Sequence, residues 1–199
     1  GVVTGVLTCA LPILKEKLID GCKNIIRNSM SEEEIRSSVI QVALELTTEQ
    51  EPKWQYVASK LYVERLYDEV KINRNKKIEE IPYSNYYEFI CEMTNKNLYG
   101  KYILENYTKE EIEELEKEIK PERDFIFTYS GIDLLTKRYL IQDYNRKPLE
   151  LPQQMFMGIA MHLAIPEEKQ NRLMWAKKFY DVLSSLKATM ATPTMSNAR

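Results

Sequence analysis

Glycine is scarce in this sequence of 199 residues. Six glycines occur, and no two of them have the close spacing of a dinucleotide-binding loop or of a P-loop. Both glycine-rich phosphate cradles are therefore excluded. An excess of positive charge is also lacking, since 28 basic residues face 30 acidic residues and leave a net charge of −2. Duplex binding depends on a dense positive field, so we expect no direct contact with nucleic acid.

Cysteine and histidine are rarer than glycine. Cys9, Cys22 and Cys91 are widely spaced and accompany a single histidine, His162, so we expect neither a disulfide framework nor a metal site. Apolar neighbours favour Cys22 and Cys91 as small buried thiols, and this usage fits a reduced, cytoplasmic protein. No apolar run reaches the ~20 residues that cross a bilayer, and residues 1–13 lack the cationic start of a signal peptide. No membrane association is expected.

The sequence does contain helical periodicity. Ser31 and Glu34 have the hydroxyl and the carboxylate of a capping box, and apolar residues then recur at helical spacing. Thr108 and Glu111 repeat this pattern before a second apolar face. Proline positions and apolar spacing predict that further helices begin near Pro52, Tyr83, Phe125, Pro152 and Pro166.

The helical period fails after Leu186, the last apolar residue on the face of the final predicted helix. Residues 189–194 are β-branched or small and are interrupted by Pro193, which predicts a strand leading into a loop. A compact domain seldom stops at a strand without a partner, because its N–H and C=O groups need a sheet. We therefore expect a sequence that is cut short at Arg199.

No group of side chains identifies an active site by its chemistry alone. His162 has no triad partners nearby in sequence, which favours a packed or surface histidine. The glutamates between 110 and 118 surround an apolar stripe, so a solvated face is favoured over a metal site. The cluster of Lys137, Arg138 and Tyr139 is compatible with phosphate contact, but the flank of a buried helix is the favoured interpretation.

Three ordered motifs carry a family resemblance. They are residues 124–140, residues 148–160 and residues 191–199, which read ATPTMSNAR. Together they resemble the large, catalytic α subunit of class I ribonucleotide reductase, and the resemblance covers residues 14–199. It implies a mainly α chain that ends in the first strand of an otherwise absent α/β barrel.

The resemblance also implies a domain order. A partial ATP-cone at 14–73 precedes the helical N-terminal domain at 74–187, and the start of the catalytic barrel follows at 188–199. Residues 31–70 look like the second half of an ATP-cone, whose lysine-rich opening hairpin is missing. Residues 1–13 resemble a translated sequencing-adapter scar and are predicted to be non-native.

The function follows from the same resemblance. Full-length members reduce ribonucleoside diphosphates to deoxyribonucleotides through a cysteine thiyl radical, as an α-subunit dimer with a metal-containing β subunit. Thr192 matches the family threonine that binds the substrate phosphate. The catalytic cysteines would follow Arg199, so we expect this fragment to be inactive by itself. It would hold no cofactor, and the ATP site for ATP and dNTP effectors would be incomplete.

Two other interpretations stay open at this point. A helical adaptor that binds another protein through its amphipathic faces would account for the missing chemistry without truncation. A class II, cobalamin-dependent reductase shares related Thr-Pro-Thr segments, although an ATP-cone before this helical domain favours class I.

Overall fold

The computed structural model describes residues 12–76 and 82–199, which form ten α-helices and one 3₁₀ helix, Pro121–Ile126. The α-helices are α1 (Pro12–Lys23), α2 (Glu32–Glu45), α3 (Trp54–Asn73), α4 (Tyr86–Asn95), α5 (Tyr102–Asn106), α6 (Lys109–Glu116), α7 (Tyr129–Arg138), α8 (Pro152–Ala164), α9 (Lys169–Ser184) and α10 (Thr192–Asn197). Extended pairing in these ranges amounts to one antiparallel bridge, between Gln142 and Pro148. The predicted mainly α class is confirmed.

Two compact units divide the described residues. One contains the residues up to Leu66 together with Phe125–Asp133, and the other contains Tyr67–Asp124 together with Leu134–Arg199. The predicted domain limits after residues 73 and 187 stay predictions. Residues 1–11 of the segment predicted to be non-native, and residues 77–81 beside the first predicted limit, lie outside the described residues.

The first unit is built on the pairing of α1 with α2. Leu18 from α1 and Val42 and Ala43 from α2 are buried, and Trp54 at the start of α3 is 1% exposed. In this unit the ring of Tyr62 meets Tyr129 edge to face, with 5.7 Å between ring centres. Large apolar side chains buried in this way supply most of the free energy that holds such a helical unit together.

The second unit is built around α8. Eleven of its thirteen residues are buried, and a helix buried on nearly all sides needs neighbours on all sides. Along one side lies α9, which buries Ala176, Tyr180 and Leu183. Position 158 in α8 requires glycine for a steric reason, because a Cβ atom there would overlap the hydroxyl oxygen of Tyr99.

Both predicted capping boxes are confirmed. The Glu34 N–H donates to Ser31 Oγ at 3.3 Å, and the Ser31 N–H donates to Glu34 Oε2 at 2.7 Å. Thr108 and Glu111 make the same exchange, at 3.3 and 2.8 Å. Each box satisfies two N–H groups that a helix start otherwise leaves without partners.

The predicted strand at 189–194 is wrong, and with it the barrel strand expected within 188–199. Residues Thr192–Asn197 form α10 instead. Pro193 lies in its first turn, where the fixed φ angle of proline suits a helix and its missing N–H is not needed. Strand propensity is a weak, context-dependent preference, and here the packing of the chain end overrides it.

Smaller corrections concern helix limits. Leu186 does not lie on the buried face of α9, because α9 ends at Ser184 and Leu186 is 43% exposed with a φ angle of 59°. The helix expected from Tyr83 begins at Tyr86, since Tyr83 and Asn85 have left-handed φ angles of 72° and 60°. The helical stretch expected from Phe125 is divided between the 3₁₀ helix and α7.

The length and hydropathy of each helix decide whether it could cross a membrane. Within 12–76 and 82–199, none combines the length and the apolar character that a bilayer-crossing segment requires.

Candidate functional site

The loop between α7 and α8 supplies residues that lie close to Thr192 and to the helix that carries it. The loop folds back on itself, because Leu149 N–H donates to the Ile141 carbonyl at 2.8 Å and Asp143 N–H donates to the Lys147 carbonyl at 2.9 Å. The return of this loop delivers Glu150 to the position just before α8, where it is completely buried.

Glu150 meets Arg199 in a buried ion pair. Arg199 Nη2 lies 2.8 Å from Glu150 Oε2, and Arg199 Nε lies 2.8 Å from Glu150 Oε1. The two side chains are 2% and 0% exposed. Two parallel N–H to oxygen contacts of this kind fix both the distance and the orientation of the guanidinium group.

The rest of the polar surface of Glu150 is also satisfied. Ile141 N–H donates to Glu150 Oε2 at 2.9 Å, and the Tyr99 hydroxyl donates to Glu150 Oε1 at 3.3 Å. Burial alone would lower the pKa of Arg199, but the charge and hydrogen bonds of Glu150 outweigh it and raise that pKa. A buried pair with all of its partners in place is stable, whereas either charge without the other would be strongly unfavourable.

Arg199 also connects α10 to the start of the loop between α7 and α8. Its Nη1 donates to the Met195 carbonyl at 2.5 Å, and its Nη2 donates to the Tyr139 carbonyl. The neighbouring Ala198 is buried. Arg199, which follows α10, therefore links the Met195 carbonyl in that helix to Glu150 and to Tyr139, the residue just after α7.

Thr192 lies at the other end of α10 and is exposed. Its Oγ1 is 3.3 Å from the hydroxyl oxygen of Tyr139, and either group can be the donor. Tyr139 therefore contacts Thr192 at the start of α10 through its hydroxyl and Arg199, just beyond the end of α10, through its carbonyl. One of the two hydroxyl protons is used in this bond, and the other is available to donate to an anionic oxygen.

A second buried polar cluster lies elsewhere in the same unit, around Asp124. Tyr67 donates to Asp124 Oδ2 at 2.5 Å, Tyr83 donates to the same oxygen, and Gln153 Nε2 donates to Asp124 Oδ1 at 2.9 Å. Tyr180 extends the cluster by donating to Gln153 Oε1 at 2.8 Å. Burial raises the pKa of Asp124 to about 6, against the three hydrogen bonds, which lower it.

His162, considered above as a catalytic residue, and the glutamates between 110 and 118, considered as metal ligands, make contacts within the fold. The His162 ring meets Tyr102 edge to face, with 5.3 Å between ring centres. Three of the acidic residues between 110 and 118 pair with lysines on α9, Glu111 with Lys169 and both Glu114 and Glu118 with Lys177. In the part of the chain that the structure describes, no three His, Cys, Asp or Glu side chains converge as metal ligands would.

The match to a family motif singled out Thr192 as a candidate, but it missed the residues that hold it. Tyr139 was assigned to the flank of a buried helix, and Glu150 and Arg199 were given no role. One signal was available for Glu150, which stands as a lone acid between Leu149 and Leu151, both of them buried. An acid in such a context is buried only with a partner, and that partner lies 49 residues further along the chain.

Comparison with known proteins identifies the class to which this helical chain belongs. The model of the ribonucleotide reductase all-alpha domain matches residues 125–199, and the chain belongs to the ribonucleotide reductase family. Its relatives include the ribonucleoside-diphosphate reductase subunit alpha of Treponema pallidum, 42% identical over 81% of this chain and 18% of the relative. The corresponding subunit of Helicobacter pylori strain 26695 is 39% identical over 87% of this chain and 20% of the relative.

A more distant relative gives the same assignment. Ribonucleoside-diphosphate reductase 1 subunit alpha of Escherichia coli is 28% identical over 83% of this chain and 21% of the relative. The chain therefore spans about a fifth of the length of the curated relatives it matches, and it corresponds to a helical part of the large subunit.

Proposed function

We propose that this chain contributes a substrate-phosphate contact, through Thr192, to the large subunit of a ribonucleoside-diphosphate reductase. The observation that carries the proposal is the placement of Thr192, exposed at the start of a short helix whose other end is fixed by the buried Arg199–Glu150 pair. A threonine hydroxyl donates one hydrogen bond, and phosphate oxygens are strong acceptors. A fixed donor binds phosphate better than a mobile one, because less ordering is needed on binding.

The activity of the whole enzyme comes from the family. We propose that the large subunit reduces ribonucleoside diphosphates to deoxyribonucleoside diphosphates for DNA synthesis, as an α dimer with a metal-containing β subunit. The thiyl and reducing cysteines of that chemistry match no cysteine of this chain. The purified chain should therefore not reduce CDP when mixed with the β subunit, and detectable reduction would contradict this part of the proposal.

The proposal includes regulation and compartment. ATP and dNTP effectors would act on the full-length enzyme, while the partial ATP-cone proposed for residues 14–73 would lack a complete ATP site. We propose a cytoplasmic location, which the free thiols of Cys22 and Cys91 support, since a reducing compartment keeps thiols in that state.

Substitution of Thr192 by valine tests the proposed phosphate contact. Valine keeps the shape of threonine and removes the hydroxyl. In the full-length large subunit with its β subunit, the KM for CDP should rise about ten- to a hundredfold, as expected when one hydrogen bond to a charged group is lost. The kcat should change little, because the bond is made in the ground state and the transition state alike.

A matched control is available in the same segment. Thr189 is also exposed, but it lies before the start of α10. Thr189→Val should leave the KM for CDP unchanged. An unchanged KM in Thr192→Val, or an equal rise in both variants, would contradict a specific phosphate contact by Thr192.

A further inference from the structure

We propose that Tyr139 orients the Thr192 hydroxyl by donating a hydrogen bond to it, so that the Thr192 proton points toward a phosphate oxygen of the nucleoside diphosphate. The inference rests on the proposed function of Thr192 and adds a positioning residue to that site. It is carried by the distance of 3.3 Å between Tyr139 Oη and Thr192 Oγ1. It rests equally on the backbone hydrogen bonds that fix Tyr139.

The direction of the hydrogen bond follows from the chemistry of the two hydroxyl groups. A phenolic O–H is more acidic than an aliphatic O–H and is therefore the better donor. When Tyr139 donates, Thr192 Oγ1 accepts the phenol proton with one of its own lone pairs. The Thr192 proton is then free to be donated to another acceptor. A hydroxyl that accepts one bond also becomes a stronger donor in the next, because hydrogen bonds in a chain polarise one another.

Without the phenol, the Thr192 hydroxyl has other states to occupy. Threonine hydroxyls readily rotate toward nearby backbone groups or toward water. Such a rotation directs the proton away from the phosphate. The free energy needed to rotate it back when the substrate binds lowers the affinity for the substrate. The contribution of Tyr139 is therefore to reduce the number of states of Thr192 before the substrate binds.

Tyr139 is suited to this task because its own backbone is fixed on both sides. Its N–H donates to the Leu135 carbonyl at 2.9 Å, and its carbonyl accepts from Arg199 Nη2. The next residue, Leu140, is 4% exposed and anchors the chain in the core. Since these anchors use backbone atoms and a neighbouring side chain, removal of the Tyr139 hydroxyl leaves them in place.

The first test is Tyr139→Phe in the full-length large subunit assayed with its β subunit. The KM for CDP should rise about three- to tenfold, the effect of one neutral hydrogen bond, while kcat stays within about twofold. Tyr144→Phe is the matched control, because Tyr144 is 97% exposed in the adjoining loop. A Tyr139→Phe enzyme with the KM of the wild type would overturn the inference.

The decisive test is whether Tyr139 acts through Thr192. In a Thr192→Val background, Tyr139→Phe should produce no further rise in KM, whereas in a Thr192→Ser background, which keeps the hydroxyl, its full effect should remain. An equal rise in the valine and serine backgrounds would overturn the inference, since it would assign Tyr139 a separate role. Thermal unfolding of each variant measures any purely structural effect, which would lower stability equally in all backgrounds.

The two proposals fail in different ways. If Thr192→Val leaves the KM for CDP unchanged, the phosphate contact of Thr192 is refuted and the role of Tyr139 with it. If Thr192→Val raises the KM but Tyr139→Phe does not, the contact stands and only the orienting role of Tyr139 is refuted.

Discussion

Asparagine in place of Asp124 should remove much of the pH dependence of stability in the acid range. Asp124 is fully buried and accepts hydrogen bonds from Tyr67, Tyr83 and Gln153. Burial and these three donors act on the carboxyl group in opposite directions. Burial prevails and raises the pKa to about 6, so the folded protein binds a proton at Asp124 more tightly than the unfolded chain does.

The size and sign of the effect follow from that difference. The interval between the ordinary value of 3.8 and about 6 corresponds to about 3 kcal/mol. Because the pKa is raised on folding, the stabilising contribution is complete below about pH 4 and is lost as the pH rises through 6. The contribution of Asp124 to the free energy of unfolding should therefore fall by about 2 to 3 kcal/mol between pH 4 and pH 7.

Asparagine is close to aspartate in size but does not titrate in this range. Its amide oxygen can accept from the two phenols, while its N–H₂ group faces the Nε2 donor of Gln153, which costs about 1 to 3 kcal/mol at every pH. The informative quantity is thus the change with pH in the difference between wild type and Asp124→Asn. Urea unfolding at a series of pH values measures it, and Asp20→Asn, whose side chain is 70% exposed in the wild type, serves as the control.

Two results would refute this reasoning. A difference between wild type and Asp124→Asn that does not vary with pH would mean that folding leaves the pKa of Asp124 unchanged. If instead the stability of the wild type relative to the variant grew as the pH rose from 4 to 7, the three hydrogen bonds would outweigh burial, and the pKa would be lowered.

Two further substitutions test the packing around α8 and α10. Gly158→Ala should lower the free energy of unfolding by about 1 to 3 kcal/mol, since the added methyl group overlaps Tyr99 in a filled core; equal or greater stability in urea unfolding would contradict that close approach. Arg199→Leu should lower it by about 3 to 5 kcal/mol, because Glu150 is then buried without a countercharge. Adding Glu150→Leu should recover much of the loss, and a double variant as unstable as the single one would show that the unpaired charge is not the cause.

Local chemistry accounts for the parts of the fold that the sequence predicted well. Ser31 and Thr108 begin helices because their side chains bond to N–H groups three residues away, so the whole signal lies within one turn. Pro152 likewise begins α8 through its own fixed φ angle. Thr192 was found in a different way, by its match to a family motif, and the structure adds its surroundings to that match.

The wrong prediction for residues 189–194 has a cause outside the segment. The segment mixes opposite local preferences, since alanine favours a helix while threonine and proline disfavour a helix interior, so a short run of them takes the conformation that its anchors allow. Here the anchor is Arg199, whose side chain reaches the Met195 carbonyl and Glu150 together. A local pattern cannot register a contact with a residue 49 positions away.

The same limit explains why the support of the candidate site was not predicted. A charged residue is buried only with its partners, and among the described residues the two buried partner sets join distant segments, Asp124 to Tyr67 across 57 positions and Glu150 to Arg199 across 49. The residue type therefore indicates what a side chain can do, while the fold decides which others hold it. In the function that we propose, the exposed hydroxyl of Thr192 would depend on the buried charges that fix the helix carrying it, so the chemistry of the surface and the stability of the core would depend on the same contacts.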